Sequence, residues 1–382
     1  MAALVWRCVC GGVLDVAAFP AGPTGPAGSP GSAVLEPAVL AGRAATMWRY
    51  GEVLPVAFDP GISLGEGMTP LVDSGTLPGV RLKLDFLMPT LSFKDRGAVV
   101  LATLAARLGV ASALVDSSGN AGTAAAAYFA RAGIPCRVLV PAATSPAKLA
   151  QMRAHGASVT LVPGSRADTA AAAVAAAAEP GVMYASHVFH PYFAHGVKTY
   201  GYEIWEQYGR TLPDTVVVPV GNGTLVLGCH LAFSELVAAG LAPRMPVIVA
   251  VQAAGCAPLA RAVERGADIP VGVDAGTTVA EGIAIAAPPR GEQILRAVRA
   301  TGGTVVAVPD QEIAAARTEL AARGVFVEPT AAVCWAAVRA ARTATGQTRG
   351  PAEAAARTAL TAPEVVVPLC GAGLKSPAPG AA

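Results

Sequence analysis

The sequence predicts an α/β protein with open, twisted sheets and helices on both faces. Two observations predict it. From Met47 onward, short β-branched runs alternate with alanine-rich stretches of helical length. Turn-forming residues, 42 Gly and 31 Pro in all, punctuate that alternation. Strands separated by helices at this spacing lie parallel and are covered on both faces. A chain of 382 residues is long enough for two domains sharing one cleft.

Residues 1–45 stand apart. Trp6-Arg-Cys-Val-Cys-Gly-Gly-Val-Leu14 is followed by Ala21–Ser32, whose Gly, Pro, Ala and Ser content reads as a linker. The first strand is expected at Leu82–Asp85. A helix follows at Phe93–Arg107, where apolar residues recur at helical spacing. Ala113–Asp116 is the next strand, and Gly122–Arg131 the helix behind it. Cys136–Val140 and Ser158–Val162 are two further β-branched runs. Phe193–Gln207 reads as one continuous helix. The valine-rich Thr215–Val220 reads as a strand that opens onto another helix. Val247–Val251 and Thr304–Val308 continue the strands, with helices at Gly291–Arg299 and Ile313–Ala322. Val365–Leu369 is the last strand. No internal repeat is evident.

Composition excludes several classes. A net charge of +2 with 14% charged residues is too weak a field for nucleic acid or an anionic membrane. Mean hydropathy is high, at +0.50, but alanine accounts for much of it. The runs Ala121–Ala130 and Thr169–Ala178 are interrupted before a span of about 20 apolar residues is reached. No transmembrane helix is expected, and residues 1–16 lack the layout of a signal peptide. Seven scattered cysteines read as reduced thiols of a cytoplasmic protein.

Four segments carry the chemistry. Lys94 lies in Pro89-Thr-Leu-Ser-Phe-Lys-Asp-Arg-Gly97, against apolar Phe93 and Val99–Leu104. An amine that condenses with an aldehyde must lose its proton easily, and burial helps. Alone, Lys-Asp-Arg is an ordinary charged turn in which Asp95 and Arg96 pair or cap the helix. Ser117-Ser118-Gly119-Asn120-Ala121 lies between a strand and a helix, where backbone amides bind anions. Alone, it is a capping turn. Gly221-Asn222-Gly223-Thr224 also opens a helix, and its glycines allow close approach of a phosphate. It matches neither a Walker loop nor a dinucleotide fingerprint. Cys370 ends the last strand, a common place for a buried thiol.

In this order, and with Leu64-Gly-Glu-Gly-Met-Thr-Pro-Leu71 upstream, the segments resemble the pyridoxal-phosphate enzymes of the tryptophan-synthase-β fold type, fold type II. Threonine synthases are resembled most, and serine/threonine dehydratases next. The resemblance runs from Met47 to Lys375. It implies a large cofactor-binding domain over residues 46–100 and 199–376, and a smaller substrate-side domain over 101–198. It implies that Lys94 carries pyridoxal 5′-phosphate and moves the substrate's Cα proton. Asn120 would meet the pyridine 3′-oxygen, Gly221, Asn222, Gly223 and Thr224 the phosphate, and Cys370 the pyridine nitrogen. Ser117, Ser118, Gly119 and Ala121 would meet the substrate, with His190 and Glu281 as further candidates. A lone histidine or a loop glutamate is as readily structural.

Four positions depart from the threonine-synthase pattern. Phe193 stands where arginine is usual, His190 where asparagine is usual, Ala121 where threonine is frequent, and Leu91 where a glycine is usual. Cys8 and Cys10 look like half of a cysteine-rich knuckle. Two thiolates do not complete a tetrahedral zinc site, so no metal is expected. The expected activity is that of a threonine-synthase-like lyase of threonine biosynthesis, acting on a small amino acid at Cβ or Cγ. Threonine/serine ammonia-lyase, a β-replacement synthase and a silent homologue acting as a binding subunit are the alternatives. The chain is expected to be a cytoplasmic homodimer, without nucleic-acid or membrane partners.

Overall fold

The computed structural model describes residues 5–16, 35, 37–273, 276–348 and 350–375. The expected linker Ala21–Ser32 lies outside them. Ten strands occur among the described residues: β1 (Leu71–Asp73), β2 (Val80–Lys83), β3 (Ser112–Val115), β4 (Cys136–Pro141), β5 (Ser158–Val162), β6 (Val182–Tyr184), β7 (Thr215–Pro219), β8 (Val247–Ala253), β9 (Thr304–Val308) and β10 (Val365–Pro368). The chain divides into two compact units, Met1–Met68 with Met88–Thr199, and Thr69–Leu87 with Tyr200–Ala382.

The first unit holds a four-stranded sheet in the order β5-β4-β3-β6, parallel throughout. Helices Asn120–Arg131 and Arg166–Ala176 follow β3 and β5. The second starts with a reciprocal cap: the Ser165 hydroxyl oxygen accepts from the Asp168 N–H, and the Asp168 carboxylate accepts from the Ser165 N–H. The motif Leu64–Leu71 is anchored by Glu66, whose buried carboxylate accepts from Trp48 Nε1 at 2.5 Å and Tyr128 Oη at 3.0 Å. A hairpin closes Cys8 and Cys10 around Gly11, and Trp6 meets Tyr184 edge-on at 4.8 Å.

The second unit holds a six-stranded sheet in the order β1-β2-β10-β7-β8-β9. Only β1 runs antiparallel to its neighbour among the described strands. β7 and β10 are buried at every residue, as near-continuous valine runs dictate for strands covered on both faces. The last strand in sequence sits mid-sheet, so Leu369 and Cys370 leave its end between β2 and β7. Lys83 at the end of β2 is fully buried. It donates to Glu203 at 2.7 Å, Thr69 O at 2.6 Å and Gln207 at 3.0 Å.

The stretch expected as a single helix, Phe193–Gln207, is two: Pro191–Val197 and Thr199–Gln207, meeting at Lys198. Pro191 fixes the start of the first. No helix is long and apolar enough to cross a membrane among the described residues.

Candidate active site

In the first unit, Lys94 immediately precedes helix Asp95–Arg107. The Asp95 carboxylate folds back to accept from the Thr90 N–H at 2.7 Å and from the Thr90 hydroxyl, fixing the turn that carries Lys94. Arg96 donates to Thr199 Oγ1 at 3.0 Å. Leu91 adopts φ +65°, a conformation that glycine takes without strain. That is the backbone reason a glycine suits this position. Lys94 Nζ lies 4.4 Å from the Phe93 ring centroid and 5.7 Å from that of Phe193. Ammonium on aromatic faces is a favourable contact.

Two glycines bring the helices around Lys94 together. A Cβ at position 97 would lie 2.5 Å from Phe193 Cδ1, and one at 196 would overlap the Arg96 carbonyl oxygen. Phe193 is buried, and it brings an apolar ring where an arginine would bring a cation.

Ser117–Gly119 leave the end of β3, with Ser117 and Ser118 half-buried and Gly119 exposed. Asn120 is the first residue of its helix, Ala121 is buried, and a Cβ on Gly122 would overlap the Ser117 carbonyl oxygen. The loop therefore packs onto its own helix start, where amide donors lack partners within the helix. His190 caps helix Pro191–Val197, its Nδ1 accepting from the Tyr192 N–H at 3.4 Å.

His195, on the same helix, is buried. Burial first, then the Lys198 ammonium, push its imidazole down to about 3. An unfolded histidine titrates near 6.5. The unfolded chain therefore takes up this proton before the folded one does. The stabilisation is complete above about pH 6.5 and falls as pH drops towards 3, amounting to roughly 2 kcal/mol lost at pH 5. Urea midpoints at pH 7 and pH 5 check this: His195→Gln should narrow the gap between them, and an unchanged gap would refute the assignment.

In the second unit, Gly221, Asn222 and Gly223 join β7 to helix Thr224–Ala238. Gly223 is the helix N-cap at φ +79°, and a Cβ there would overlap Ile294 Cδ1. The requirement for glycine is thus set by the protein's own core as well as by any phosphate. Gly221 is buried, and a Cβ on it would lie 2.9 Å from Ile283 Cα. Glu281 is exposed at the start of the short turn containing Ile283. Cys370 is buried just beyond β10.

The family "Pyridoxal-phosphate dependent enzyme" matches residues 62–353. The chain belongs to it. A threonine synthase of Methanosarcina acetivorans is 36% identical over 302 residues, covering 77% of this chain and 74% of that protein. A threonine synthase of Methanocaldococcus jannaschii is 34% identical over 338 residues, covering 86% and 81%. Among solved structures, the processed form of threonine deaminase isoform 2 from Solanum lycopersicum superposes with TM-score 0.66 at 23% identity, covering 80% and 79%. The fold is that of pyridoxal-phosphate fold type II, and the chain is a threonine-synthase-like enzyme of that class.

The residues fit the family's cofactor. A glycine turn at the start of a 15-residue helix, ending in Thr224, is a donor set suited to a phosphate. In the first unit, the half-buried Lys94 side chain is an amine of the kind that condenses with the cofactor's aldehyde.

Sequence reasoning passed over three residues. His187 is buried just past β6. Arg166 Nη2 bonds Asp116 Oδ2 at 3.1 Å beside the Ser117 loop. Glu328 is buried against Gly371, its N–H donating to the Gly371 carbonyl at 3.0 Å. β6 was the missing signal: once it is placed, His187 falls at the C-terminal end of a parallel strand, where such sites gather.

Proposed function

We propose that this enzyme is a carbon–oxygen lyase acting on a small amino acid, with the leaving group departing from Cβ or Cγ. The observation that carries the reading is Lys94: the turn bonded through Asp95 and Thr90 presents its Nζ over two aromatic rings. Pyridoxal 5′-phosphate, when bound, supplies an electrophilic carbon and a conjugated ring that accepts electron density from the substrate's Cα. Lys94 Nζ would hold the group and take the Cα proton. The backbone amides of Gly221–Thr224 would hold its phosphate. Asn120 would meet its 3′-oxygen, and Ser117–Ala121 the substrate carboxylate. Cys370 would face the ring nitrogen, where a thiol is a weak partner and leaves that nitrogen mostly unprotonated.

Threonine synthesis from phosphohomoserine and water is the first form of this reading, supported by the threonine synthases among the relatives. Threonine/serine ammonia-lyase is the second reading, favoured by the buried Phe193 and by Cys370. A homodimer and a cytoplasmic location belong to the same proposal. A panel of phosphohomoserine, threonine, serine, phosphoserine and acetylserine, read by phosphate, ammonia and keto-acid release, tests it. Turnover of at least one with loss of a Cβ or Cγ oxygen substituent is expected. A cofactor-loaded enzyme that only racemises the panel would contradict the lyase reading.

A further inference from the structure

We propose that His187 is a substrate-contacting residue that selects a hydroxyl-bearing amino acid over a phosphate ester. The inference rests on the lyase reading above and favours its second form, the ammonia-lyase, whose substrate carries a free hydroxyl. His187 is only 7% exposed, and its Nδ1 has no hydrogen-bond partner among the described residues. A buried polar nitrogen left unmatched is costly, and such groups are normally paired. Its ring meets Phe193 edge-on at 5.9 Å, and Lys94 Nζ lies 5.7 Å from the same ring. The imidazole and the lysine thus flank one phenyl group. β6 pairs in parallel with β3, so His187 and the Ser117–Asn120 loop leave the same edge of the sheet.

The chemistry of the surroundings suits a hydroxyl. Burial first, then the Lys94 ammonium and the Arg166 guanidinium, hold the His187 imidazole well below the usual histidine range. A neutral imidazole offers one donor and one acceptor, which a hydroxyl matches with its own acceptor and donor. A phosphate dianion offers acceptors only and calls for cationic donors. Phe193 supplies none. Arg166 bonds the Asp116 carbonyl and carboxylate oxygens.

The test uses the cofactor-loaded enzyme and two ligands that have no Cα hydrogen to lose: α-methylserine and its hydroxyl-free counterpart 2-aminoisobutyrate. Dissociation constants are measured by calorimetry for the unmodified enzyme, His187→Phe and His187→Asn. The unmodified enzyme is expected to prefer the hydroxyl ligand by up to about tenfold, the worth of one neutral hydrogen bond. His187→Phe should erase that preference and His187→Asn restore part of it. Phosphohomoserine should bind no tighter than α-methylserine. A preference that survives His187→Phe, or tighter phosphohomoserine binding by the unmodified enzyme, would overturn the inference. If His187→Phe does not fold, nuclear magnetic resonance of isotope-labelled histidine in the unmodified enzyme decides. The His187 Nδ1 signal should move with α-methylserine and stay still with 2-aminoisobutyrate; any other pattern rejects the contact. Cofactor held on Lys94 with a selectivity indifferent to residue 187 would sink this inference alone. Cofactor absent from Lys94 would sink the lyase reading itself.

Discussion

Lys94→Ala is expected to abolish turnover while the chain stays folded. The reason lies in where the side chain goes. Asp95, Thr90, Arg96 and Thr199 fix the turn and the helix start through bonds that do not involve the Lys94 ammonium. Lys94 itself rests half-buried on Phe93 and Phe193. Removing it deletes the amine that would hold the cofactor and move the Cα proton. Proton transfer by a positioned group is worth about 10²–10⁴ in rate on its own, so the loss should be at least that large. The visible absorbance of a lysine-linked cofactor should vanish with it. Circular dichroism and a thermal melt check the fold. A variant that keeps within tenfold of the original rate would remove Lys94 from the chemistry.

Gly223→Val should damage both stability and cofactor binding in the second unit. Position 223 takes φ +79°, which costs an L-residue roughly 1–2 kcal/mol. The added side chain also runs into Ile294, and overpacking typically costs about 1–3 kcal/mol more. The turn has to shift, and with it the amides that would hold a phosphate. Cofactor affinity and the urea midpoint should fall together. A double-mutant cycle separates the causes. Gly223→Ala should cost less stability in an Ile294→Ala background than in the original protein. Equal costs in the two backgrounds would show that Ile294 is not the obstacle.

The sheets were legible because their strands are valine runs with clear punctuation. Thr304–Val308 and Ser158–Val162 match their expected ends, and β10 differs from Val365–Leu369 by one residue. β1 and β6 were not legible: three residues are too few for a periodic pattern to rise above its surroundings. Losing β6 also hid His187. The break at Lys198 left no mark, because the helical pattern runs through it. The motif residues were visible as local signatures: a charged turn, a capping loop, a glycine turn and a strand-end thiol. What fixes them is tertiary and therefore silent in the sequence. Ile294 lies far along the chain from Gly223, and Phe193 is nearly a hundred residues from the Gly97 it covers. The departures at Leu91 and Phe193 were legible as substitutions. Their consequences, a left-handed backbone and an aromatic floor under Lys94, were visible only in the folded chain.

The central claim is that Lys94 is the cofactor lysine. The most direct measurement is borohydride reduction of the purified, cofactor-supplied enzyme, followed by mass analysis of its peptides. The chain has five lysines, two of which, Lys83 and Lys198, are buried. The expected result is one stable cofactor adduct per chain, on the peptide containing Phe93-Lys94-Asp95. An adduct on Lys83, Lys148, Lys198 or Lys375 instead, or none in a folded enzyme, would contradict the account.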